Sequence, residues 1–199
     1  NSKFDFSAIS KLSKNPALKS AASGYFGHMW ELYTFWAFVP VLIVFLKGNG
    51  VIQTSDSLLS FFVIAIGAFS CAIGGSFADR FGSRKVAGIA LGGSGICCVL
   101  VMFVIGHSPW VWTGLLMIWG MLITADSPQF STLVAQSVPA EYRGTALTLV
   151  NSMGFGISIL SIQLAQFLLS WLRIDQVLAL LFIGPVLGLI LFRLYHHRG

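Results

Sequence analysis

The sequence predicts an all-α integral membrane fold of six transmembrane helices, arranged as two three-helix inverted repeats, and three observations carry it. The chain has 199 residues, 56% hydrophobic and only 10% charged, with a mean hydropathy of +0.83. A water-soluble domain does not normally reach such a composition. Apolar runs of roughly 20 residues recur along the chain, the length a helix needs to cross a hydrocarbon core of about 30 Å. Finally, the two acids inside the apolar runs fall on the leading helix of each group of three, as paired repeats around a shared site require. A β-barrel is disfavoured, because the runs are continuously apolar and about twice a barrel strand's length.

The elements follow in order. Residues 1–20 are polar and lysine-rich, without the apolar core of a cleavable signal peptide. Phe4, Phe6, Ile9 and Leu12 alternate there with lysines and serines, a pattern that suits a short interfacial helix on anionic headgroups and equally a solvated cytoplasmic connector. Asn15-Pro16 reads as an N-cap followed by a first-turn proline, opening the first long helix. The spans are expected over residues 21–46, 57–78, 86–106, 109–134, 145–171 and 174–195, which makes 21–195 the transmembrane domain and 196–199 a short tail.

The net charge of +5 reports orientation. Ten of the 12 basic residues lie before the first span, between the second and third, between the fourth and fifth, or after the sixth, leaving Lys47 and Arg173 on the other side. The positive-inside rule then places both termini in the cytoplasm of a multi-pass protein of the cell (inner) membrane. No nucleic-acid partner is implied. Cys71, Cys97 and Cys98 lie inside spans without metal-ligand spacing and read as small packing residues, so neither a metal nor a cofactor is expected. The chain also lacks a nucleotide-binding loop.

Within the spans the informative residues are polar. His28 and Glu31 occur in GYFGHMWELYTFWAFVP, residues 24–40, and project within about 60° of each other on a helix, on the face of Gly24 and Phe35. They can pair with each other or turn towards a cavity. An unpaired charge at mid-bilayer costs about 2.5–3.5 kcal/mol on insertion scales, so such residues mark a partner or a pathway. Desolvation also favours a carboxyl group's protonated form, which suits proton exchange. The fourth span holds Asp126 and Gln129 around Pro128, and the fifth holds Asn151, Gln163 and Gln166. Proline removes a backbone donor, so it opens the helix beside Asp126 or forms a hinge. Trp30, Tyr33 and Trp36 suit packing, interfacial anchoring or stacking on an organic solute. The third and sixth spans, poor in polar side chains, are expected to face lipid. Gly88, Gly92 and Gly95 read as a packing seam.

Between the second and third spans the chain reads GGSFADRFGSRK, residues 74–85. Its Gly75, Asp79, Arg80, Gly82, Arg84 and Lys85 resemble the signature loop of the major facilitator superfamily, with Ser83 standing where a first basic residue is usual. In that reading Gly75 permits close helix approach, Gly82 makes the reversal, and Asp79 reaches helix-end amides or a cation. VPAEYRGTA, residues 138–146, resembles the P-x-x-x-R-G connection before the fifth helix of such a half, with Pro139, Glu141, Arg143 and Gly144 shaping the turn.

The resemblance implies a secondary transporter that moves a small solute by alternating access, and not an enzyme. It also implies twelve spans in two halves, of which this chain supplies the C-terminal six. Its partner is then the N-terminal half, or a second copy if the chain is a natural half-size transporter. The leading helices of each triplet line the cavity in that family, which makes Glu31, His28, Asp126, Gln129 and Trp36 the candidate substrate and proton pathway, with Asn151 of the fifth span added as a polar residue inside the hydrocarbon. The other reading is an interaction or receptor module that keeps the fold without transport. G-x-S-G at residues 92–95 also resembles rhomboid proteases, but the histidines that follow Ser94 lie at or beyond span ends, which removes the needed base.

Overall fold

The computed structural model of the chain describes residues 12, 14–48 and 54–195. Among the described residues eight α-helices form the bundle: α1 (Pro16–Lys47), α2 (Asp56–Phe81), α3 (Ser83–Leu100), α4 (Pro109–Ala125), α5 (Ser127–Gln136), α6 (Arg143–Leu168), α7 (Ile174–Ala179) and α8 (Ile183–Leu194). A 3-10 turn extends α3, and another joins α7 to α8. Five continuous segments are each long and apolar enough to cross a membrane: Pro16–Lys47, Asp56–Phe81, Ser83–Phe103, Ala140–Leu168 and Ile174–Leu194. The fourth span is α4 and α5 together, divided at Asp126.

Local chemistry accounts for the boundaries. The Asn15 side chain accepts from the amides of Ala17 and Leu18 at 2.9 and 3.2 Å, and Pro16 follows in the first turn, as expected. Asn15 also donates to the Ser137 carbonyl at 2.7 Å, tying the start of α1 to the end of α5. Residues 16–20, placed in the connector by composition, are therefore helical and continuous with the first span. The interfacial-helix reading of Phe4, Phe6 and Ile9, and the tail at 196–199, lie outside the described residues, while Leu12 is buried in the core. At the other membrane face, Lys47 reaches Asp56 at 2.5 Å, and Arg173 makes two bonds to the buried Asp175 at 3.0 and 2.8 Å. The two basic residues that the charge pattern left on that side are thus each paired with an acid.

Packing follows an exchange between the triplets. The leading helix α1 packs chiefly on α6 and α8 of the second triplet, and α4 packs chiefly on α2 and α3 of the first. The α1–α8 pair is the most extensive, because glycines let the backbones meet: a Cβ on Gly27 would lie 2.5 Å from the Gly184 carbonyl oxygen and 2.9 Å from the Gly188 Cα. Hydroxyls stitch α1 to α6, with Ser158 donating to the Met29 carbonyl at 2.7 Å, Ser161 to the Trp30 carbonyl at 2.6 Å, and Thr34 to Ser161 at 2.8 Å.

This packing corrects two expectations. The third and sixth spans are not simply lipid-facing; the third buries one face chiefly against α4 and the sixth one chiefly against α1, and each leaves the other, with Ile89, Ile96, Leu187 and Ile190, outward. The broadest outward apolar faces belong to α2 and α6, which carry Phe61, Phe69, Phe77, Phe155, Ile159 and Phe167. The seam expected at Gly88, Gly92 and Gly95 is tight only at Gly95, where a Cβ would meet Pro185 at 2.8 Å; at the other two it would stand at ordinary contact distance, 3.9 Å from Phe192 and 3.5 Å from Leu189.

Candidate functional site

The candidate site lies where α1 meets α3 and α4. Glu31 is fully buried and accepts from three side chains on two other helices: Ser94 Oγ to Oε2 at 2.8 Å, Trp119 Nε1 to Oε1 at 2.6 Å, and Cys98 Sγ to Oε1 at 3.2 Å. Phe35, one turn along α1, packs tilted against the Trp119 ring, with centroids 4.5 Å apart and planes at 41°, and backs the indole that faces the carboxylate. Cys98 therefore does more than fill space, correcting its reading as an apolar packing residue. Hydrogen bonds from protein donors replace the hydration that burial removes.

One turn towards the N-terminus of α1, His28 Nδ1 stands 2.8 Å from Asp126 Oδ1, both side chains wholly buried. The histidine pairs with the acid of the fourth span and not with Glu31. The contact is close but not aligned as a hydrogen bond, and among the described residues neither the Asp126 oxygens nor either His28 nitrogen has an aligned partner. Aromatic rings wall it in, with Tyr25 5.9 Å and Phe130 6.3 Å from the imidazole centroid. Gly24 makes room for Phe130, since any Cβ there would strike that ring.

Pro128 explains the break at Asp126. It has no amide hydrogen to give the Thr124 carbonyl four residues back, and that carbonyl accepts instead from Cys71 Sγ of α2 at 3.4 Å. The helix resumes at once, with the Phe130 amide donating to the Asp126 carbonyl at 2.9 Å. The freed carbonyl is thus held by a neighbouring helix and does not line an open site.

The structure therefore brings together Glu31, His28 and Asp126. Gln129 is buried nearby in α5, and Asn151 is half-buried on α6, but among the described residues neither hydrogen-bonds to the cluster. Trp36 is half-buried against Tyr33, ring centroids 5.4 Å apart, and its indole nitrogen has no partner among the described residues. Gln163 and Gln166 are exposed. His28, Glu31 and Asp126 are buried inside this one six-helix body and open onto no outward surface.

The family profile described as Major Facilitator Superfamily matches residues 21–198, nearly the whole transmembrane region. The chain belongs to the major facilitator superfamily. It is a membrane transport protein of that class, and no curated protein matches it.

The superfamily's signature loop can now be read in atoms. Gly82 adopts φ +87° and makes the reversal between α2 and α3, a conformation that favours glycine. Arg84 crosses from the start of α3 to donate to Ser20 Oγ at 2.8 Å and the Phe192 carbonyl at 2.5 Å, and it lies 4.0 Å from the Phe192 ring centroid. It binds three helices at the loop face. Gly75 is not the close-approach glycine: no atom lies within 4 Å of its Cβ position, whereas the Gly74 Cβ position lies 3.1 Å from the Ala125 carbonyl oxygen. Asp79, Arg80, Lys85 and Arg143 are exposed, and among the described residues Asp79 engages neither a helix end nor a cation.

Proposed function

We propose that this chain is the C-terminal six-helix half of a secondary transporter that moves a small solute by alternating access and is driven by protons bound at Glu31. His28 and Asp126 form an adjoining buried pair that responds to the same movement. The carrying observation is the buried cluster itself: two carboxyl groups and an imidazole on the leading helices of both triplets, where a scaffold would place leucine. The cluster has no exposed surface here, so exchange with water requires α1 and α4 to part. The interruption at Asp126 supports a bend at that depth, because the α4–α5 junction already lacks one backbone hydrogen bond. The apolar faces of α2 and α6 support packing against the other half of the transporter and against lipid. The cytoplasmic position of both termini, in the cell membrane, rests on the ten-to-two distribution of basic residues.

Uptake of a panel of labelled small solutes into vesicles, with and without an imposed pH gradient, tests this reading. At least one solute should accumulate against its concentration gradient only while the pH gradient lasts. Transport indifferent to the gradient removes the proton from the mechanism, and no transport of any solute by the complete assembly favours the interaction module.

A further inference from the structure

Ser94 is poised between two acceptors and has one proton to give. Its Oγ lies 2.8 Å from Glu31 Oε2 and 3.0 Å from the Leu91 carbonyl oxygen, and all of these contacts are buried. A hydroxyl donates once and can accept from others, so the two donations exclude each other. The other Glu31 oxygen is differently placed. Oε1 faces the Trp119 indole N–H and the Cys98 thiol. The indole is only ever a donor, so a proton on Oε1 would set one N–H against one O–H.

From this asymmetry we infer that Glu31 takes up its proton on Oε2 and that Ser94 is the rotor that accommodates both states of the carboxyl group. With Glu31 ionised, the Ser94 hydroxyl points at Oε2. When the proton arrives, Oε2–H donates to Ser94 Oγ, and the serine hydrogen turns to the Leu91 carbonyl. Trp119 and Cys98 keep their bonds to Oε1 throughout. No other atom moves, no buried donor is orphaned in either state, and the only change of charge is the bound proton. The inference rests on the proposed proton binding and adds where the proton sits and which residue positions it. The titratable groups facing Glu31 are His28 on its own helix, Cys97 and Cys98 of α3, and Asp126 beyond α4. At this depth α2, α5, α6 and α8 bring no charged residue.

The test is infrared difference spectroscopy across a pH step on the complete transporter in lipid vesicles, reading the carbonyl stretch of the protonated carboxyl. The Glu31 band is assigned by its loss in Glu31→Gln. In Ser94→Ala the protonated group loses its acceptor, and the band should move to higher frequency; Ser94→Thr, which restores a hydroxyl, should return it. Ser94→Cys keeps the bulk with weaker hydrogen bonding and should move the band the same way by less, so a poorly folding alanine variant leaves the question answerable. A Glu31 band that neither Ala nor Cys displaces overturns the rotor while leaving proton binding intact. Absence of any Glu31 band across the pH range overturns the proton-binding reading and the rotor with it.

Discussion

Gly27→Ala tests the packing that holds the site. A new Cβ would lie 2.5 Å from the Gly184 carbonyl oxygen, where ordinary contact begins at 3.4 Å, so α1 and α8 must separate locally by roughly 0.9 Å. The obstructing atoms are backbone, so no rotamer change relieves them. Overpacking of this kind costs about 1–3 kcal/mol, and the gain from replacing a helical glycine offsets roughly 0.5–1 kcal/mol of it. Taking the middle of each range, the net expectation is a loss of about 1 kcal/mol, which for a chain of this size lowers the melting temperature by about 2–4 °C. Gly88→Ala is the matched control: its new Cβ would come no closer than 3.9 Å to the Phe192 ring, so the melting temperature should hold or rise. The assay is thermal melting of both variants in the same detergent. Equal melting behaviour would refute the seam, and with it the claim that α8 fixes the position of α1.

Trp119→Phe keeps a ring beside Phe35 but deletes the 2.6 Å donor to Glu31. It should cost about 1 kcal/mol in wild type and less in a Glu31→Gln background, so strictly additive losses in a double-mutant cycle would contradict a shared bond. Gly82→Val forces a branched side chain onto φ +87°. Because the loop is remote from Glu31, this variant should slow solute exchange while leaving the half-saturating concentration unchanged; the reverse pattern would count against a role in the conformational cycle. Cysteines placed at positions 1 and 199 should both label only from the cytoplasmic side, and labelling of either from outside would overturn the orientation.

The spans were legible because length and hydropathy depend only on composition along the chain, and the cap at Asn15 because its chemistry is local. The break at Asp126 was legible for the same reason: Pro128 acts on its own helix. Helix rotation and neighbour choice were not legible. The three donors to Glu31 lie 63, 67 and 88 positions away, and only the packing of α3 and α4 on α1 brings them to one carboxylate. Sequence spacing placed His28 beside Glu31, yet the ring turns to Asp126, which spacing within one helix cannot reveal. Small-residue periodicity likewise marked Gly88, Gly92 and Gly95, while close backbone contacts use Gly27 on Gly184, in helices at opposite ends of the chain, and Gly120 on Val63. A glycine shows that an approach is permitted; only the partner shows where it occurs.

The central claim is that Glu31 carries the driving proton, and Glu31→Gln in the complete transporter tests it most directly. The amide retains the size and accepts from Trp119 and Cys98, but it cannot ionise. In vesicles with an imposed pH gradient, the variant should lose solute accumulation while solute-for-solute exchange continues at a wild-type rate. Gradient-driven accumulation equal to wild type in Glu31→Gln would contradict the account and move the proton to Asp126.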